Sequence, residues 1–428
     1  MFARAWPCAL RTIAPRAPVV RTIERQPFSS TIHSCSHPPK RRNRLISSPL
    51  YRRSCVRQQR NASTRQKAIK LFKENPFSVS LASAITLFGF GALIYTNYVY
   101  QTYIIGEFAA YPEPVAAKLR RALYYTNHDI QPKNAVKYYR QALELADELG
   151  MDPFSDEILG VKIQLSAMFE KIGMYQKAIE VLELVQRDCM RWLEELGGLE
   201  RNRGKRTKVL GKTIGISVKL GEYYASDHIQ NQDAAEEHLV WAVTELIREQ
   251  VRREEDGVKE GEGDWMTNEE IGGALESLGH HWEAKNQHYF AAPLFAQALR
   301  VCPSSECHSV VLMNNLAISL AQQKYPNGFS PTQNSPLPSS ASQVSSAREW
   351  ALKALERAAS IKPPDRTAEC DEGCAVATVN LGDFALMEGD LDEARRRFEE
   401  GKSIAKAIGF AQGIVRADQG LRELKGKT

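Results

Sequence analysis

One spacing pattern, recurring through the C-terminal three quarters of this 428-residue chain, restricts what it can fold into. The clearest copy reads Leu275-x2-Leu278-Gly279-x2-Trp282, then Ala291-x3-Phe295-x2-Ala298-x4-Pro303. A second copy is Leu381-Gly382-x2-Ala385, then Gly389-Asp390-Leu391-x2-Ala394-x3-Phe398-x2-Gly401. A third is Leu165-x3-Phe169-x3-Gly173-x-Tyr175-x2-Ala178-x3-Leu182-x2-Val185. Steps of three and four residues keep the apolar positions on one face of a helix, and the intervening Gly or polar residues mark a turn. Each copy is therefore a helix, a turn and a second helix. Ala178, Ala291 and Ala394 let the two helices cross closely, while Leu182, Phe295 and Phe398, one turn on, fill the space between units.

These spacings resemble the tetratricopeptide repeat, a helix-turn-helix unit of about 34 residues. Weaker copies fill the intervals. Ala135-x3-Tyr139-x2-Ala142 reads as a second helix with Leu119 to Tyr125 as its partner, and Leu220-Gly221-x2-Tyr224 opens a unit that Ala235-x3-Leu239-x2-Ala242 closes. A fifth unit opens at Asn314-Asn315-Leu316-Ala317 and closes late, at Ala347-x3-Ala351-x2-Ala354. The expected architecture is all-α: a superhelix of about six units across 111–402, with a groove lined by the first helix of each. Residues 325–346, rich in Pro, Ser, Gln and Asn, are expected to form a disordered loop, and 403–428 a capping helix. Two insertions, Gly197–Arg206 and Arg252–Gly263, are charged and Gly-rich and are expected to be exposed loops. Leu165, Leu278, Leu316 and Leu381 are expected to be packing residues.

The N-terminus has a different chemistry. Residues 1–70 hold thirteen Arg, three Lys and one acid, Glu24; the leader is net +15 and the remainder −10, within a whole-chain +5. Arg-rich, Ser-rich and nearly acid-free, the leader has the composition of a mitochondrial transit peptide, with processing near Phe28-Ser29-Ser30 or after Arg60-Asn61. The acidic remainder argues against nucleic acid as a partner. From Asn75 to Gly106 there is no charged residue, and 76–105 reads as a transmembrane helix ending in an aromatic interface of Tyr95, Tyr98, Tyr100 and Tyr103. Its Ser and Thr can bond back to the preceding turn. Ser83, Ala84, Gly89, Gly91 and Ala92 would let another helix approach. Basic residues before the span (Arg57, Arg60, Arg65, Lys67, Lys70, Lys73) and acids after it (Glu107, Glu113) orient it. The N-terminus is expected in the matrix and the C-terminal domain in the intermembrane space.

The search for chemistry is nearly empty. Gly211-Lys212-Thr213 lacks the earlier Gly and the strand that a phosphate-binding loop needs. His280, His281 and His288 match no zinc spacing. No cofactor is implied. Cys8, Cys35 and Cys55 fall in the leader. Cys302/Cys307 and Cys370/Cys374 are expected in loops joining consecutive repeats, where both a disulfide and reduced thiols stay open. For binding, the positions flanking the repeat Leu-Gly pairs are expected to face the groove: Gln164, Lys219, Glu222, His280, Asn315, Asn380 and Asp383. Asn315 and Asn380 can each donate to and accept from an extended peptide backbone.

Leader, span and acidic repeat domain together resemble one family, the fungal tetratricopeptide adaptor subunit of the mitochondrial inner-membrane i-AAA protease. The resemblance is strongest from Tyr111-Pro-Glu-Pro-Val115 through Tyr175-Gln-Lys-Ala-Ile179, including Pro153-Phe154-Ser155. It implies a non-catalytic protein that binds unfolded substrates and delivers them to AAA protease subunits, and it leaves room for a second adaptor membrane protein beside it. The alternative is a scaffold or assembly factor for another inner-membrane complex.

Overall fold

The computed structural model describes residues 64–324 and 339–426. The proposed processing positions, the leader cysteines and most of the 325–346 stretch lie outside them. The described residues form two units.

The first unit begins with α1 (Thr64–Glu74), basic and amphipathic, and continues into α2 (Pro76–Val99). Pro76 suits the first turn of α2, because its missing N–H would have had no helical partner there. Phe77, Leu87, Phe88, Leu93 and Ile94 are all two-thirds or more exposed, and no residue of α2 is buried. A helix that is apolar all round and buries nothing has a surface suited to lipid. Together with the following turn, Pro76–Thr102 is long and apolar enough to cross a membrane. The hydroxyl of Thr86 donates to the Ala82 carbonyl at 2.8 Å, the back-bond expected for a hydroxyl in an apolar helix. A π-helical turn (Tyr100–Ile105) and a 3-10 turn (Gly106–Phe108) end this unit.

The second unit is all helix. Six helix pairs follow one another: α3 (Glu113–Asn127) with α4 (Pro132–Glu148), α5 (Asp156–Lys171) with α6 (Tyr175–Leu196), α7 (Arg203–Ala225) with α8 (Gln232–Glu255). Then come α9 (Asn268–Ala284) with α10 (His288–Val301), α11 (His308–Ala321) with α12 (Ser340–Ser360), and α13 (Ala368–Glu388) with α14 (Leu391–Ala407). α15 (Ala411–Lys425) packs on the last pair. Side-chain caps set several starts. Ser155 accepts from Ile158 N, and Thr267 and Glu270 form a reciprocal capping box.

Within a pair, the small and large positions do what their spacing requires. Ala178, Ala291 and Ala394 are fully buried, as are Phe295 and Phe398. Gly279 lies so close to Phe295 that a Cβ there would stand 2.8 Å from the ring, and the same is true of Gly382 and Phe398. The Leu-Gly step therefore makes room for an aromatic ring from the paired helix. Leu278, Leu316 and Leu381 are buried, whereas Leu165 is only half-buried.

Three sequence expectations are corrected here. The loop read as running to 346 ends earlier, because Ser339 caps α12 by accepting from Ser342 N, and Val344 and Ala347 are already buried on that helix. Arg203–Arg206 are helical, and α8 runs on to Glu255. The Arg252–Gly263 insertion is not simply exposed. It folds back on α7, and a Cβ on Gly204 would meet the Gly261 carbonyl at 2.7 Å. Glu249 and Glu262 are buried there, with Arg252 donating to both (2.6 and 2.9 Å), while Arg206 and Arg253 reach Glu249 at 3.2 and 3.1 Å. Burial works against these two carboxylates, but the guanidinium groups hold both below their usual range.

Candidate functional site: a polar ladder along the first helices

The first helix of each pair is joined to the next by polar side chains. Lys171 of α5 donates to the Thr126 carbonyl and to Asn127 of α3, both at 3.0 Å. From α7, Lys219 reaches Glu170 of α5 at 3.1 Å and the Tyr223 hydroxyl donates to the same carboxylate at 2.9 Å. Glu222, also contacted by Lys219 at 3.3 Å, accepts from Ser277 of α9 at 3.0 Å. His308 of α11 stands between Glu276 of α9 and Glu369 of α13, 2.9 Å from each. Asn314 of α11 donates to the Gly373 carbonyl of α13 at 3.0 Å. Arg416 of α15 donates to both oxygens of Asp383 of α13, at 2.6 and 2.7 Å. Each rung crosses from one repeat unit to another, or from the last unit to α15.

Charge is matched along the row. Glu276 is 3% exposed, and burial alone would raise it; hydrogen bonds from His280 and His308 instead hold it at about 2. His280 sits between Glu276 and Glu283, at 3.3 and 3.1 Å. Burial disfavours both imidazoliums, yet their carboxylate partners raise His280 to about 9 and His308 to about 11. Both rings are thus cationic at neutral pH and donate from both nitrogens. Burial pushes Glu222 above the usual carboxylate range against the pull of Lys219, and pushes Asp383 up to about 6 against Arg416.

The seven residues expected to face the groove therefore divide. Gln164 is exposed. Lys219, Glu222, His280 and Asp383 are partly buried rungs or rung neighbours. Asn380 does not present a free amide. It is 6% exposed, and its Nδ2 points at Asn314 Oδ1, 3.5 Å away, because the helix face carrying it packs on α11. Asn315 is half-buried, and its Nδ2 finds no acceptor among the described residues. The sequence reading missed Glu170, Glu276, His308, Asn314, Glu369 and Arg416. One local signal was available: Glu276 and His280 lie one turn apart within an otherwise apolar stretch.

The cysteines settle into one bond. Cys307, at the start of α11, is joined to Cys370, in the first turn of α13, with Cα atoms 4.8 Å apart. Cys370 and Cys374 are helical rather than in a loop, because α13 begins at Ala368; Cys374 stays outside the bond. The bond closes a loop of 63 residues in sequence, worth about 4 kcal/mol on a chain-entropy view. His281 faces Glu236 at 3.6 Å, away from the His280 cluster. Among the described residues no group of three or more His, Cys, Asp or Glu side chains is placed to hold a metal ion.

No protein-family model matches the chain. It is 26% identical over 312 residues to a TPR repeat-containing protein of Schizosaccharomyces pombe, covering 71% of this chain and 76% of that one. A shorter similarity, 34% over 70 residues, links it to Protein MRG3-like of Saccharomyces cerevisiae, over 16% of this chain and 15% of that protein. Among solved structures, BtubC (BKLC) from P. vanneervenii aligns over 69% of this chain and 91% of its own, at 15% identity and a TM-score of 0.40. Six stacked helix pairs built on the repeat spacing, with a relative so named at 26% identity along most of its length, give the chain the fold of a tetratricopeptide-repeat superhelix.

Proposed function

We propose that this chain is a membrane-tethered, non-catalytic adaptor of the mitochondrial inner membrane. It holds unfolded segments of substrate proteins on its row of first helices and passes them to an i-AAA protease. The observation that carries this reading is the joining, on one chain, of a helix that buries none of its apolar side chains to a repeat superhelix. A tether of that kind confines capture to one surface and raises the effective concentration of substrate near a protease in the same membrane. The Cys307–Cys370 bond supports placing the array in the intermembrane space, since disulfides persist on oxidising sides of membranes. Basic Lys70 and Lys73 ahead of α2 favour an N-terminus in the matrix.

Two measurements test the reading. Detergent extracts of mitochondria should co-purify the chain with an AAA protease, and the purified chain should bind a denatured model protein and not the same protein folded. Equal binding of the folded and denatured forms overturns the reading. The other reading, a scaffold for a folded partner in a different inner-membrane complex, is favoured by the ladder itself, whose polar groups are already paired. Co-purification with a respiratory or import complex alone would select it.

A further inference from the structure

The first helix pair carries a surface that the ladder does not use. On α3, Ala117, Arg121 and Tyr124 stand at successive turns, and Tyr125 and Tyr138 close a shallow hollow beside them. The Tyr125 and Tyr138 rings stack in parallel, 5.6 Å apart, and Tyr124 meets Tyr125 edge-on at 5.4 Å. Three cations surround the Tyr138 ring: Lys118 at 6.0 Å, Arg121 at 5.7 Å and Lys137 at 5.9 Å. Lys118 also donates to Gln141, and Arg120 pairs with Glu113. Arg121 and Lys137 are exposed, and among the described residues no carboxylate lies within ion-pairing distance of either.

Sequence connects this patch to a surface of known chemistry. Ten residues separate Thr102, where the apolar segment ends, from Glu113, where α3 begins. A linker of that length spans at most about 40 Å, so the first pair is held near whatever surface the apolar helix enters. Exposed Arg and Lys interleaved with tyrosines match the headgroup region of a bilayer, where phosphates accept hydrogen bonds and phenol rings settle at the interface.

We propose that this face of the first pair docks on anionic phospholipid headgroups of the bilayer holding α2, with Arg121 and Lys137 donating to phosphate oxygens. The proposal depends on α2 entering a membrane and is independent of the adaptor reading. Its test uses the full chain in nanodiscs of phosphatidylcholine alone and of phosphatidylcholine with phosphatidylglycerol in equal parts, read by hydrogen exchange. Amides of α3 should exchange about ten-fold more slowly in the anionic discs. Arg121→Glu with Lys137→Glu should abolish that difference, while Arg121→Lys with Lys137→Arg should retain it. Should the charge reversal unfold the pair, visible as lost protection in the neutral discs too, Arg121→Gln with Lys137→Gln is read in its place and should also remove the difference. Equal exchange in the two lipids overturns the proposal. So does equal protection by inorganic phosphate or an acidic peptide added to neutral discs, which would mark a site for a soluble partner.

Discussion

The two ends of the repeat array are finished in different ways. At the C-terminal end, α15 lies over the last pair so closely that a Cβ on Gly420 would stand 2.5 Å from the Phe398 ring, and Arg416 anchors the same helix to Asp383. At the other end α3 is the first described helix of its unit; Tyr124 is 51% and Ile130 56% exposed, and Arg121 and Lys137 flank Tyr138 with no carboxylate partner among the described residues. A repeat array needs both terminal faces made compatible with their surroundings. Here one is covered with apolar packing from the chain itself, and the other is left polar, aromatic and cationic. The C-terminal end is sealed by its own chain, and the end left bare among the described residues is the one we propose meets lipid.

The comparison can be broken or sharpened by experiment. The largest effect is expected at the sealed end: Phe398→Ala should cost about 3–5 kcal/mol in denaturant unfolding, since the ring fills a fully enclosed space. Tyr124→Ala at the bare end should stay within about 0.5 kcal/mol. Comparable losses at both would end the distinction. A somewhat smaller cost, about 2–4 kcal/mol, should follow Cys307→Ser with Cys370→Ser, with hydrogen-exchange protection falling in α11 to α13 and holding in α3 and α4. The smallest effect concerns pH. The folded pKa values of His280 and His308 lie above the ordinary 6.5, so their contribution is fully present below that value and is lost as pH rises, for His280 through about 9 and for His308 through about 11. Protection of α9 and α11 should therefore decline on going to alkaline pH, and His308→Gln should flatten that decline. A wild-type profile as flat as the variant's would remove the imidazoles from the account.

The repeats were legible because their determinants are local. Gly279 and Phe295, or Gly382 and Phe398, lie sixteen residues apart within one unit, and spacing alone pairs them. The ladder was not legible, because its rungs join residues remote in sequence, such as Glu276 with His308 or Lys219 with Glu170, and nothing near either partner names the other. Asn380 was misplaced for the same reason: its position in the motif is that of Asn315, but the packing of α11 against α13 buries one amide and leaves the other's donor unmatched. Charge misled at Arg252–Gly263, where Gly and acids suggested solvent. Arg206, Arg252 and Arg253 neutralise Glu249 and Glu262 from three directions and allow burial. The pairing of Cys307 with Cys370 needed the third dimension, because two pairs of cysteines 63 residues apart offer several partners.

That covalent bond also decides how the protein carries mechanical load. Tension applied at the C-terminus unravels α15, α14 and most of α13, then arrives at Cys370 and crosses the sulfurs directly to Cys307. The whole stretch between them, including α11 and α12, drops out of the force path and cannot be drawn out as single file. A motor pulling on this end would have to admit two strands of chain at once, so the bond acts as a knot-like stop against threading.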